Sequence, residues 1–322
     1  MGSDRSADVG RVLTSKRVEG LPQDPRSEDC TQWWGRLLNS GYLEVGLVSI
    51  IVSTVGPLVK IMDLPVPVLA LGRFVFAWTS LSVSRVLGRR KTRATQKGHR
   101  GFLVLIGCCT AGGLLCFMAA FRLMPVAQVV LLAFCFPAIT AILAHRFLGE
   151  QIRKAAVVAL ILSGAGAVLI AIPGAWNTQP GDWLGIALAL ASAFLGAVEV
   201  TLIKTIAKSI SSETVSLYRF GTAAVLILPL ALTSDWHASL RDAVLVAMLG
   251  VVHTALAGTV YVTGLRKAAA HKAVVLSYLE PLSATVLAWV FLSERPSPFT
   301  LLGGGLILAG SYLVIRSGVV AG

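Results

Sequence analysis

Apolar residues along this chain run in unbroken blocks, and short polar or charged segments separate them. Ten blocks occur, at approximately 43–60, 67–87, 101–121, 126–147, 154–173, 183–204, 213–233, 241–265, 273–293 and 299–316. About 20 helical residues cross the hydrocarbon core of a bilayer, so each block is long enough to span it. The pattern predicts an all-α integral membrane protein of ten transmembrane helices with almost nothing left for a soluble domain. Residues 1–42 depart from it. They are rich in charge, Ser, Gly and Pro and carry no apolar signal-peptide core, which predicts a disordered tail. Near its end Trp33, Trp34, Leu37, Leu38 and Tyr42 fall at helical spacing, as a short interfacial helix requires.

Composition agrees, with 55% of residues hydrophobic and only 14% charged. The net charge of +12 raises the question of nucleic acid, but its placement answers it. With the N-terminus inside, only Lys60, Arg122, Arg241 and Arg295 fall on outside segments; Arg73 and Arg219 fall within helices, and the rest of the 28 basic residues lie inside. That asymmetry is the positive-inside rule, and it places both termini in the cytoplasm of a cell or inner membrane. The basic loop around Arg89, Arg90 and Lys91 reads first as this orientation signal and second as a contact for anionic lipid. Cys108, Cys109, Cys116 and Cys135 lie in apolar helices and Cys30 in the tail, without metal-site or disulfide spacing.

The chain also repeats itself. At an offset of 144, Arg122 meets Arg266, Val130 meets Val274 and Pro137 meets Pro281, and later Phe147, Leu148 and Glu150 meet Phe291, Leu292 and Glu294. Lys60 meets Lys204 and Thr110-Ala111 meets Thr254-Ala255 at the same offset, while Arg73-Phe74 meets Arg219-Phe220 after a two-residue slip. Each half holds five predicted helices, and an odd number makes the second half enter the membrane from the opposite side. Two inverted five-helix repeats are the architecture of secondary transporters, in which the halves exchange packings around a midplane site.

FPxxxAxxxxxFLGE from Phe136 to Glu150 and LEPxxATxLAWxFLSER from Leu279 to Arg295 resemble the EamA-type transporters of the drug/metabolite transporter superfamily. The resemblance runs from about residue 43 to 317, and LGVVHTALAGTVYVTGLRKA and GGGLILAGSYLV extend it in the second half. It implies repeats over 43–174 and 181–317, both termini inside, and carriage of small organic solutes. Two departures stand out: SIIVSTVGPLVKI where members often carry a Trp in the first helix, and Glu199 in the sixth.

Polar residues inside the apolar blocks are the candidate site. Glu280 reads as a carboxylate for a substrate amine or coupling proton, or as a structural hydrogen bond holding a bent helix. Pro137 and Pro281 remove helical N–H donors and free the carbonyls of Ala133 and Ser277, which predicts kinks. Glu199 is either a carboxylate near the inner interface or a substrate contact. Lys60 and Lys204 read as snorkelling lysines. Arg73 and Arg219, about two turns inside their helices, read first as snorkelling arginines and second as anchors for a substrate carboxylate. His253 reads as a packed, hydrogen-bonded residue; sharing a cavity with Tyr261, Tyr278 and Glu280, it would form a wall for an amino-acid-like or aromatic solute. Glu150 and Glu294 stand before helices, where carboxylates favour the positive dipole end. Gly164, Gly166, Gly303, Gly304, Gly305 and Gly310 read as close-packing positions within each half or in a homodimer.

The leading expectation is a secondary transporter, an exporter of small organic metabolites working by alternating access with proton coupling, with solute, bilayer and a second copy of the chain as partners and no nucleic acid. No cofactor, metal or catalytic set is expected, and the chain lacks a GxxxxGK[ST] segment for ATP. The alternatives are a receptor or assembly factor on a carrier fold and, behind it, a lipid-modifying enzyme, which would need clustered acids or a His/Asp pair.

Overall fold

The computed structural model describes residues 42–88, 99–149, 154–176, 182–206, 209–234, 237, 239–261 and 279–316. The expected tail helix, the basic loop, Glu150 and Tyr278 lie outside these residues. No strand occurs among the described residues. The helices in chain order are α1 (Tyr42–Ser53), α2 (Val55–Ile61), α3 (Val66–Leu87), α4 (Arg100–Leu123), α5 (Val126–Ala133), α6 (Phe136–Leu148), α7 (Lys154–Trp176), α8 (Asp182–Ile206), α9 (Ser212–Leu232), α10 (Leu240–Gly250), α11 (Leu279–Leu292) and α12 (Pro298–Arg316). A π-helical segment, Val251–Leu256, follows α10. Seven helical spans are long and apolar enough to cross a membrane, and Val157–Ile170, Leu279–Leu292 and Pro298–Gly310 are shorter apolar helices on the remaining expected blocks. The protein is a multi-pass membrane protein.

Local chemistry sets the helix ends. Ser211, Ser239 and Ser297 accept the N–H groups of Thr214, Asp242 and Thr300 at 3.3, 3.0 and 3.1 Å, satisfying first-turn donors that hydrocarbon cannot. Gly149 closes α6 at φ 68°, a left-handed conformation that glycine adopts without strain. The first block is broken at Thr54, between α1 and α2, and the fourth at Phe134–Cys135, between α5 and α6. Pro137 sits in the first turn of α6 and has no N–H for the Ala133 carbonyl, which accounts for the second break. Pro281 lies buried in the first turn of the described part of α11.

One apolar core joins the two halves: Val59, Leu69, Met118, Phe121 and Leu132 pack in the same cluster as Ala223, Ile227, Leu249 and Ile307. The halves meet most closely where α7 lies on α12. A Cβ on Gly166 would overlap the Gly303 carbonyl oxygen, and one on Gly303 would overlap that of Gly166. Gly310 likewise stands against the Ala159 carbonyl, 2.7 Å from where its Cβ would be. Adding 144 to 159 and 166 gives 303 and 310, so the two contacts exchange under the sequence repeat. These glycines therefore pack one half against the other, not the helices of a single half, as small residues do where backbones touch. Gly304 faces Leu131, whereas Gly164 and Gly305 face open space.

Two further expectations are corrected at the end of the bundle where α2, α5 and α11 meet. Lys60 does not snorkel; its ammonium pairs with Glu294. Glu294 does not serve the helix that follows it in the chain, because its second oxygen accepts the Val126 N–H at 2.7 Å, at the start of α5. Beside them Arg122 donates to the carbonyls of Met62 and Leu64 at 2.6 and 2.9 Å, fixing the turn between α2 and α3.

Candidate functional site

The break between α5 and α6, the π-helical segment and four long helices surround one cavity of about 350 Å³. Arg73 and Phe74 of α3 line it, with Thr110 and Phe117 of α4, Ala133 and Phe136 at the break, Ser192 and Glu199 of α8, Arg219 and Phe220 of α9, and Thr254. A larger groove of about 720 Å³ lies between α3, α4 and α9, but Arg85 is the one charged residue among its described, mainly apolar lining. The smaller cavity holds the charge and is the candidate site.

The two membrane arginines turn into this cavity, which corrects the snorkelling reading. Arg219 Nη1 lies 2.8 Å from Glu199 Oε1, and the guanidinium covers the neighbouring Phe220 ring at 4.7 Å from its centroid. Arg219 Nε is buried without a hydrogen-bond partner. Arg73 Nε donates to Thr254 Oγ1 at 2.7 Å, and Arg73 interacts electrostatically with Arg219 and Glu280. Phe74 and Phe220 stack with centroids 5.9 Å apart and an interplanar angle of 26°. The repeat-related pairs Arg73/Arg219, Phe74/Phe220 and Thr110/Thr254 thus share one cavity. Arg219 pairs with Glu199 and Arg73 is attracted by Glu280, and neither acid recurs in the repeat: the counterpart positions are Val55 and Phe136.

The π-helical segment gives Thr254 its position. Thr254 Oγ1 donates to the Leu249 carbonyl, five residues back, at 2.9 Å, whereas Thr110 Oγ1 donates to Ile106, four residues back, at the same distance. A widened turn rotates the side chains beyond it, and π-bulges recur at functional sites. The sequence carries no signal for this turn, because Thr110 and Thr254 stay in register with no inserted residue. His253, in the same turn, is not among the described residues lining the cavity. It is 7% exposed, with Nε2 2.8 Å from Thr54 Oγ1 and Nδ1 3.2 Å from the Met248 carbonyl oxygen. A ring protonated at Nδ1 donates to the Met248 carbonyl, and the one Thr54 hydroxyl proton is shared between His253 Nε2 and the Ile51 carbonyl oxygen, each 2.8 Å away. His253 therefore joins the π-helical segment to the break in the first block.

Of the expected wall of His253, Tyr261, Tyr278 and Glu280, Tyr278 lies outside the described residues, and the other three are not among the described residues that line this cavity. The partner of Glu199 is Arg219, on the neighbouring helix α9. No cluster of metal-ligating residues occurs among the described residues.

Known proteins resemble this chain over most of its length. The pseudopaline exporter CntI of Pseudomonas aeruginosa (strain UCBPP-PA14) is 27% identical over 287 residues, spanning 87% of this chain and 98% of that protein. A probable terminal-alkyne amino-acid exporter of Streptantibioticus cattleyicolor is 27% identical over 262 residues, 77% of this chain and 83% of that protein. One solved crystal structure superposes with a TM-score of 0.60 at 21% identity, covering 87% of this chain and 98% of that one, a likeness of fold. The model of the EamA-like transporter family matches twice in tandem, over residues 39–172 and 183–316, so the chain belongs to the EamA-like transporter family.

Proposed function

We propose that this protein exports a small zwitterionic, amino-acid-like solute through the cell or inner membrane by alternating access. In this reading ten transmembrane helices form two inverted repeats, 43–174 and 181–317, with both termini cytoplasmic. The exchange of the α7/α12 contacts under the 144-residue offset and the meeting of repeat-related residues in one cavity support it. The carrying observation is the charge pattern: Arg219 with an unused buried Nε, its partner Glu199, and Arg73 in the same confined volume. A substrate carboxylate takes an arginine fork. Its ammonium takes Glu199 or Glu280. Stacked Phe74 and Phe220 give apolar surface for the remainder. The name of the second exporter above, a probable terminal-alkyne amino-acid exporter, points to the same class of solute.

The test is counterflow in liposomes holding the purified protein, with a panel of amino-acid-like solutes and their amine-only and carboxylate-only analogues. A zwitterion is expected to exchange, and either analogue to exchange about 10-fold more slowly or worse, because a charged hydrogen bond is worth about 1.5–3 kcal/mol. Equal exchange of an analogue lacking one charge would refute the charge-pair reading. Glu280 is the proposed proton site. Glu280→Gln is expected to keep exchange at equal pH on both sides and lose stimulation by an imposed pH gradient; unchanged stimulation would remove Glu280 from coupling.

A further inference from the structure

Different faces of α8 meet different surroundings. Ala189, Ala193 and Ala197 are buried. Leu195 packs against α4, standing 3.2 and 3.5 Å from where Cβ atoms on Gly112 and Gly113 would be, and Phe194 is exposed. Ser192, Gly196 and Glu199 follow one another at i, i+4 and i+7, which is one stripe of a helix, and all three line the cavity. At Gly196 this wall has no side chain: a Cβ built there meets no described atom within 4 Å beyond its own helical turn. Glu199, paired with Arg219, stands one turn along, a rise of about 4.5 Å.

The first half carries another stripe at the same register. With Lys60 aligned on Lys204, the counterparts of Ser192, Gly196 and Glu199 are Val48, Val52 and Val55. Val48 and Val55 are buried, and Val52 packs against the apolar core. Three valines thus fill one side of the pseudo-symmetric pair, while a hydroxyl, a bare backbone and a carboxylate open the other. Bare backbone beside a void forfeits the dispersion contacts that a methyl group would make, and glycine inside a helix is less stable than alanine. Close approach of a neighbouring helix is the usual compensation, and among the described residues none stands against Gly196. A ligand in that space supplies it. Gly164 and Gly305 also face open space, but neither is among the described cavity-lining residues.

We propose that Gly196 is the specificity-determining residue of the cavity: with the solute ammonium on Glu199, the side chain on the ammonium-bearing carbon occupies the space over Gly196, and that space sets the largest side chain carried. The inference rests on the zwitterionic reading above and adds the placement of the solute's side chain. Ammonium and side chain leave the same carbon, so they reach adjacent turns of one helix face. Phe74 and Phe220 in the same cavity supply apolar cover.

The test varies the wall and the solute together. Liposomes holding the full-length protein, as wild type, Gly196→Ala or Gly196→Val, are assayed by counterflow of glycine, alanine, α-aminobutyrate, norvaline and norleucine, which differ only in unbranched side-chain length. The reading is exchange of the longest member that wild type carries divided by exchange of the shortest. One methylene in an apolar pocket discriminates about 10-fold or more. Gly196→Val, which restores the residue of the first half, is therefore expected to lower the ratio at least about 10-fold from wild type, and Gly196→Ala to lower it less. Both variants are expected to keep the thermal midpoint, since alanine and valine favour a helix over glycine and no described atom stands in the way. An unchanged ratio in Gly196→Val overturns the inference and leaves the zwitterionic reading intact. A lowered midpoint in Gly196→Ala also overturns it, because protein then fills the space. No exchange of any member by wild type overturns the zwitterionic reading and this placement with it.

A second measurement needs no solute. In full-length protein whose five cysteines are replaced by alanine, Gly196→Cys and Phe194→Cys are treated with a trimethylammonium methanethiosulfonate admitted to both faces of the liposomes. The cavity position is expected to react at least about 10-fold faster, because lipid excludes a permanent cation from the exposed apolar position and Glu199 attracts it to the other. Equal rates, or faster reaction of Phe194→Cys, overturn the inference whatever the solutes do.

Discussion

Glu199→Gln is expected to lower solute exchange by about 10-fold or more while the protein still inserts and purifies as a single species, a loss of about 1.4 kcal/mol in the transport step. The pair it breaks is 2.8 Å long, with side chains 31% and 13% exposed, between the open surface and the dry interior. Exposed ion pairs contribute about 0–1 kcal/mol to folding, and removing one partner of a deeply buried pair costs about 3–5 kcal/mol. An intermediate pair makes a modest structural contribution. The transport effect is larger because the variant leaves Arg219 as an unbalanced cation beside Arg73, and a solute ammonium loses its acid. Thermal stability and exchange in Glu199→Gln, Arg219→Gln and the double variant separate the two roles. A structural pair predicts that the double variant regains stability and exchange together. The site reading predicts recovered stability with exchange still lost. Exchange within about 2-fold of wild type in Glu199→Gln would place substrate recognition elsewhere, since about 2-fold is only about 0.4 kcal/mol.

The spans were legible in the sequence because a bilayer imposes length and apolarity on each helix, and both are properties of a single segment. Pro137 was legible for a similar reason: its missing N–H acts on its own helix, whose break falls two residues earlier. Rotation about the helix axis was not. Arg73 and Arg219 stand at depths from which a guanidinium reaches either the interface or the cavity, and the choice depends on neighbours that a linear reading does not supply. Glu199 illustrates the same gap, since its partner lies on α9 and not one turn along its own helix. The widened turn at Val251–Leu256 left no trace at all, because it exchanges hydrogen-bond partners without adding a residue relative to the first half. The repeat told more about the site than hydropathy did. It marked Arg73/Arg219 and Thr110/Thr254 as equivalent, and these are the residues that meet in the cavity.

Gly303→Leu is expected to be the most damaging substitution away from the cavity, lowering the yield of folded protein and its thermal midpoint, with Gly166→Leu close behind. The two glycines face each other, each against the other's carbonyl oxygen, so a side chain at either meets backbone first, and moving the adjacent Ile307 or Ile170 side chain does not relieve the overlap. Backbone must move instead, and overpacking of this kind costs about 1–3 kcal/mol or more. Helices in lipid lack a hydrophobic drive toward one another and depend on close approach, so separating α7 from α12 removes contact along much of their length. Gly305→Leu is the control: it lies on the same helix, two residues away, and faces open space. It is expected to fold as wild type does. Size-exclusion profiles and thermal unfolding of the three variants in detergent decide the matter. If Gly303→Leu and Gly305→Leu behave alike, the close contact contributes nothing to stability. If Gly305→Leu alone loses assembly while Gly303→Leu folds, the outward glycines serve contacts between chains, and the packing of the two halves rests on the apolar core shared by Leu132 and Ile307.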